Sequence, residues 1–200
     1  MKLIVIRHGE TDANRSHILM GHAMVSLNKL GKNQALKVGE ALKSQKIDFI
    51  YSSDLQRTKE TVQQIINHHK DVPVIYDPLL RERCLGKLEG LPREKFYEAR
   101  GKADVPHHLF RPEGGESMAD VLKRVEQFLK MLYSKHADDE TILICTHGGW
   151  KRMILALATG KPISDEEVRL YPFKNTSVTV IETKQGRLKL IKLNDTKHLK

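Results

Sequence analysis

The chain has only two cysteines and one tryptophan in 200 residues, and no apolar run long enough to cross a bilayer. Cys84 and Cys145 lie far apart and outside any CxxC spacing, which excludes a disulfide scaffold and a dithiol redox motif. Cys145 falls inside an apolar run and reads as a small buried hydrophobe. The amino-terminal stretch, Met1-Lys2 followed by four apolar residues and then Arg7-His8, is too short for a secretory h-region, so a cytoplasmic protein is expected. No HxH, HExxH or cysteine cluster offers a metal site, and no metal is expected. No linker, internal repeat or low-complexity tract divides the chain, so one domain over residues 1–200 is expected.

Charge is abundant but unpatterned. The formal net charge is +9, with lysines scattered along the chain and denser over residues 184–200. No basic run is interleaved with aromatics, as a nucleic-acid module would require. The charge fits instead a field that draws in small anions. A small anionic substrate is expected, with no nucleic-acid or membrane partner, in a monomer or homodimer.

Short apolar runs at residues 3–6, 47–51, 74–76, 141–145, 178–182 and 188–193 read as strands. Between them, residues 30–44, 55–69, 117–134 and 150–158 carry apolar positions at helical spacing, with Asp54 as a cap for the second and Gly160 as a stop for the last. Alternating strands and helices predict an α/β fold with a largely parallel sheet covered on both faces. The last two strands, joined around Lys184-Gln185-Gly186, predict an antiparallel hairpin at its edge. Residues 83–116 break the rhythm, with four glycines before Gly115 and three prolines, and are too long for a passive connection. A partly helical flap over the site is expected there.

Two strings follow strand-like runs: Arg7-His8-Gly9-Glu10-Thr11 and Thr146-His147-Gly148-Gly149. Both histidines should leave the carboxyl edge of the sheet, where open α/β folds bind ligands. A neutral imidazole can attack phosphorus, and Arg7 would bring permanently charged donors to phosphoryl oxygens. Arg57 opens a helix, where the dipole favours an anion; its alternative is a local pair with Asp54 or Glu60. His147 and the N–H of Gly148 would add further donors. A leaving alkoxide needs a proton, and Glu10, Glu82, Glu89 and Glu116 are all candidates. Glu82, at the flap entrance, could be desolvated and protonated there, or could pair with Arg81 or Arg83. His68-His69 and His107-His108 read as surface pairs, with a minor place for the latter at the pocket.

The motifs extend further. Asn14, Leu30-Gly31 with Gln34-Ala35, Tyr51-Ser52-Ser53-Asp54-Leu55 with Arg57-Thr58 and Glu60-Thr61, Leu80 with Glu82, Gly86, Leu88-Glu89-Gly90, Pro112 with Gly114-Gly115-Glu116-Ser117, and the second histidine string follow the first in order. The set covers nearly the whole chain and resembles the histidine phosphatase superfamily, which holds cofactor-dependent phosphoglycerate mutases and related phosphatases. The resemblance implies a three-layer α/β/α sandwich of phosphoglycerate mutase-like fold. It implies His8 as a nucleophile that becomes phosphohistidine, with Arg7, Arg57 and His147 around the phosphate and Glu82 as proton donor and then base. Asn14 and Gly148 would contact phosphate or substrate, with Thr11, Gly21 and Arg83 nearby. No cofactor is implied, unless the chain were a mutase using 2,3-bisphosphoglycerate.

Mutases of that family carry an asparagine where this chain has Gly149, and a longer insertion before the GES-like motif. A mutase must exclude water from phosphohistidine, which a short flap does poorly. Hydrolysis of small phosphorylated metabolites is therefore expected over mutase activity. Neither Met20 nor His22 supplies a substrate code, and sugar phosphates, phosphoglycerates, phosphoserine and ribazole phosphate all remain open.

Overall fold

The computed structural model describes residues 1–200. Six strands form one sheet in the order β3-β2-β4-β1-β5-β6. They are β1 (Lys2–Arg7), β2 (Phe49–Ser52), β3 (Val74–Tyr76), β4 (Thr141–Thr146), β5 (Val178–Lys184) and β6 (Arg187–Asp195). The first four named in the order are parallel, while β5 runs antiparallel to both β1 and β6. The β5–β6 turn passes through Gln185 and Gly186, both at positive φ, as a two-residue hairpin of right-handed twist requires.

Alternation along the strands sorts the core into two layers. Leu3, Val5, Ile142 and Ile144 face α5 (Met118–Lys135) and α6 (Gly148–Thr159), around Phe128 and Trp150. Ile4, Ile6, Leu143 and Cys145 face α2 (Lys29–Leu42) and α3 (Gln56–Ile66), against Val38, Val62 and Ile65. The result is the α/β/α sandwich expected, with the antiparallel edge at β5 and β6.

Two local expectations change. Helix α3 begins at Gln56 with Leu55 as its N-cap and no capping side chain. Asp54 does not cap it because its carboxylate is held by a fork from Arg81, at 2.7 and 2.5 Å. Helix α6 begins directly after His147, two residues earlier than its apolar pattern, because Gly148 and Gly149 are helical.

Residues 83–116 hold a 3-10 turn (Gly86–Leu88) and α4 (Arg93–Gly101), with a separate small core of Leu85, Phe96 and Phe110. Ahead of them lies the short α1 (Asp12–Arg15), and after α6 comes α7 (Glu166–Arg169).

Phe128 is fully buried, with its ring edge-on to Trp150 and Tyr51 at 5.9 and 5.5 Å. Phe128→Ala should cost about 3–5 kcal/mol of stability, read from urea unfolding midpoints at unchanged m. A cost under about 1 kcal/mol would contradict this packing.

Candidate active site

Strands β1 and β4 are in register to their last pair, Arg7 beside Thr146. The ladder continues for one more bond, from His8 N to Thr146 O at 3.0 Å. His8 and His147 therefore leave the sheet side by side, with ring centroids 5.2 Å apart, and both are fully buried. Residues 139 apart in the sequence become neighbours through one parallel pairing.

The His8 ring has its tautomer set by one neighbour. His8 Nδ1 lies 2.7 Å from Gly9 O, and a carbonyl can only accept, so Nδ1 carries the proton. The Nε2 lone pair is then free. Burial, with Arg57 and Arg7 nearby, holds His8 well below the usual histidine range, so the ring is neutral. His147 Nε2 meets Ser53 Oγ at 3.0 Å, and that oxygen already accepts the N–H of Leu55 at 3.3 Å. A hydroxyl has one hydrogen and two lone pairs, so Ser53 Oγ can donate to Nε2 or accept from it; where it donates, His147 Nδ1 is the protonated nitrogen. Burial and Arg57 keep His147 neutral as well.

The arginines are aimed by backbone carbonyls. Arg57 donates to Ala23 O and Gly21 O at 3.0 and 2.8 Å, and does not pair with Asp54 or Glu60. Glu60 instead accepts from Gln56 and from Leu27 N. Arg7 Nη1 donates to Phe173 O at 2.6 Å, and its Nε lies against the start of α6 at Gly148. Burial lowers both guanidinium pKa values to about 10, which still leaves them charged. Three buried side-chain nitrogens at this place have no partner: Arg7 Nε, Arg57 Nε and His147 Nδ1. An unsatisfied buried donor costs on the order of 1–3 kcal/mol, so the two guanidinium Nε–H groups call for an acceptor. The N-terminus of α6, where Gly148 N–H has no intrahelical partner, favours an anion in the same place.

Of the four glutamates, Glu82 alone lines the cavity of about 570 Å³ that Arg7 and Gly148 border; His8, His147 and Arg57 lie behind that wall. The Glu82 carboxylate accepts from Gly149 N at 3.1 Å and Arg83 N at 2.8 Å. A side chain at position 149 would collide with that carboxylate, so the glycine is what permits the close approach. The others are engaged elsewhere: Glu10 with Asn28, Glu89 with His22 N and Leu85 N, and Glu116 with Arg124.

The remaining candidates separate. Asn14 and Gly21 line the cavity, as does Gly148. Asn14 Oδ1 is held by Thr11 N and Asn175 Nδ2, at 3.2 and 3.3 Å. Thr11 is not brought to the cavity: it is fully buried as the N-cap of α1, with Oγ1 on Asn14 N and Met20 Sδ. Arg83 reaches the wall, but its guanidinium is spent on Glu116 O and Phe110 O and stacks over Phe96. It braces the flap. His107 lines the cavity, with its pKa pushed down to about 4 by burial and by Arg169, while His68 and His69 remain near the surface on α3's end.

Several residues were not singled out by sequence. Arg124 clamps the loop bearing Glu82 by donating to Leu79 O, Arg81 O and Glu82 O. Its signal was a charge on the apolar stripe of α5, between Val121 and Val125. Lys151 is fully buried, bonded to Val5 O and Ser177 O and placed over the Phe173 ring at 4.7 Å, so it anchors the segment that holds Arg7. An apolar helix gave no reason to read it so.

Residues 3–196 match the family model of the histidine phosphatase superfamily, branch 1. The chain belongs to the histidine phosphatase superfamily. A phosphoglycerate mutase-like protein of Arabidopsis thaliana is 36% identical, covering 99% of this chain and 86% of its own length. A broad-specificity phosphatase of Saccharomyces cerevisiae is 30% identical over 100% of this chain and 87% of its own. Among solved structures, YhfR of Bacillus stearothermophilus superposes with TM-score 0.89 at 27% identity, covering 100% and 99% of the two chains. A mycobacterial glucosyl-3-phosphoglycerate phosphatase does so at 0.85 and 27%, covering 98% and 99%. The phosphatase superfamily thus accounts for fold and motif order together.

The two depressed histidines make stability pH-dependent. Below pH 6.5 the unfolded chain binds protons on these rings while the folded one does not, so stability is whole above 6.5 and falls as pH drops. Each ring should contribute up to about 1.4 kcal/mol per pH unit in that window. Urea unfolding between pH 7 and 5 should show this slope, reduced by about one proton in His147→Asn; an unchanged slope would refute it.

Proposed function

We propose that this histidine phosphatase hydrolyses phosphate monoesters of small metabolites through a phosphohistidine on His8. The observation that carries the reading is the set of three unpartnered buried nitrogens, two of them guanidinium donors, beside an oriented, neutral imidazole. In the first step His8 Nε2 attacks phosphorus in line, forming P–N as the P–O ester bond breaks. Arg7 Nε, Arg57 Nε, His147 Nδ1 and Gly148 N–H hold the non-bridging oxygens, with Asn14 Nδ2 available to substrate. Glu82 gives its proton to the departing oxygen. It then takes a proton from the water that attacks phosphohistidine, which releases inorganic phosphate and restores both groups. Positioning and charge do the work, with no metal or organic cofactor assigned a step.

Gly149 favours hydrolysis over phosphoryl return to a second substrate. With only hydrogen at this position, Glu82 docks on the start of α6 and can serve water. The names of the yeast phosphatase and the mycobacterial phosphatase agree with this choice. The segment at 83–116 acts as the lid. Both cysteines are free, which suits a reducing, cytoplasmic setting. Small anionic substrate is the partner, and the protein works as a monomer or homodimer without nucleic acid.

Rapid quenching in alkaline detergent after mixing with labelled p-nitrophenyl phosphate should trap a phosphoenzyme that is stable in alkali and lost in acid, with full activity in chelator. His8→Ala should lose the label and all turnover; retained turnover sinks the nucleophile. Glu82→Gln should slow alkyl phosphates about 10²–10⁴-fold while the phosphoenzyme still forms from the aryl ester, whose leaving group needs no proton.

Gly149→Asn should displace the Glu82 carboxylate and reduce kcat for alkyl phosphates at least about tenfold, or about 1.4 kcal/mol of barrier, with little change in melting temperature. Unchanged kcat would show that the close approach is dispensable.

A further inference from the structure

The cavity continues beyond the phosphoryl site, and its outer wall is strongly cationic. Six basic side chains line it (Arg7, Arg83, Arg93, Arg152, Arg169 and Lys174) against a single carboxylate, Glu82. Arg7 faces the phosphoryl position and Arg83 is bound to carbonyls of the flap. Four cations remain, delivered by separate elements: Arg93 starts α4, Arg152 is on α6 one turn past Gly148, Arg169 ends α7 and Lys174 follows it.

None of Arg93, Arg152 and Lys174 has an acidic partner, and Arg169 reaches only the exposed Glu166 at 3.4 Å. Arg152 is oriented through Nε, which donates to Tyr171 O at 3.1 Å and leaves its terminal nitrogens open. Burial lowers the Arg152 pKa; Glu82 opposes that push, and the Arg93 and Arg169 charges add to it. Arg152 and Arg169 are half-buried while Arg93 and Lys174 are exposed at the rim; like charges gathered on one wall repel, most where solvent is excluded, and that cost is relieved by an anion. The phosphoryl group cannot supply it, because its oxygens are already matched by the donors around His8. Phe96, Tyr97, Leu170 and Phe173 fill the wall between and give a substrate body an apolar surface. About 570 Å³ accommodates a small metabolite with groups at both ends.

We propose that Arg93, Arg152, Arg169 and Lys174 form a second oxyanion subsite, and that the substrate is a phosphate monoester whose body carries another anionic group. This rests on the phosphatase reading above for the position of the first phosphate. A carboxylate and a second phosphate share the chemistry that such a wall recognises, and matched ligands distinguish them.

The test is competition against p-nitrophenyl phosphate hydrolysis. One pair is 3-phosphoglycerate and glycerol 3-phosphate, which differ in a carboxylate; the other is fructose 1,6-bisphosphate and fructose 6-phosphate, which differ in a phosphate. In at least one pair the more anionic member should bind about tenfold or more tighter, and the pair with the larger ratio names the group. The ratio should fall to within about threefold in Arg93→Gln/Arg152→Gln and be clearly reduced in Lys174→Gln, whose exposed side chain spares the fold. Lys130→Gln removes the same charge from an exposed site lining a separate groove and should leave the ratio as it was. Ratios within twofold in both pairs would overturn the subsite, as would an equal loss in Lys130→Gln, which would mark a general field. If p-nitrophenyl phosphate is not hydrolysed, the phosphatase reading fails by itself; calorimetric binding of the same pairs then decides the subsite independently.

Discussion

The parallel pairing of β1 with β4 is the constraint from which the site follows. Its register ends at Arg7 and Thr146, so the next residue on each strand is a histidine, and both emerge in one place. A shift of one residue would turn every side chain to the other face of the sheet. The apolar alternation of residues 3–6 and 142–145 into two distinct cores forbids that shift. Core packing therefore fixes the distance between the two imidazoles.

Around that pair, charge is held in place chiefly by neutral backbone. Arg57 is steered by the carbonyls of residues 21 and 23, and Arg7 by that of Phe173. A carboxylate partner would have neutralised them and spent their donors. Carbonyls orient the guanidinium while leaving its charge for a ligand. The chain keeps true ion pairs for support, as in Arg81 with Asp54 and Arg124 with Glu116. Arg124 also shows how a distant helix positions Glu82: it grips three carbonyls of the loop on which that side chain rides.

Much of this was legible beforehand. All six strands are legible to within a few residues: β1, β2 and β4 because buried parallel strands write continuous apolar runs with sharp ends, and β5 and β6 because a half-exposed antiparallel hairpin alternates about a Gly turn. His8, His147, Arg7 and Arg57 were legible because each stands at a strand or helix terminus. Thr11 was misplaced toward the substrate because a capping threonine and a ligand-binding one look alike in sequence; what separates them is where the hydroxyl points. Arg83 was likewise legible as basic and near the flap, but not as a brace on Glu116 O and Phe110 O.

What the sequence determined by itself is the inventory: the alternating elements, the two histidine strings and the superfamily to which their order belongs. These depend on local patterns, on capping and periodicity, that a linear text retains. Tertiary structure alone decided which glutamate faces the cavity, which tautomer His8 adopts, and which arginines are held by carbonyls rather than carboxylates. Each of those depends on the nearest atom in space, such as Gly149 N, Gly9 O or Gly21 O, and nearness in the folded chain has no counterpart in sequence separation.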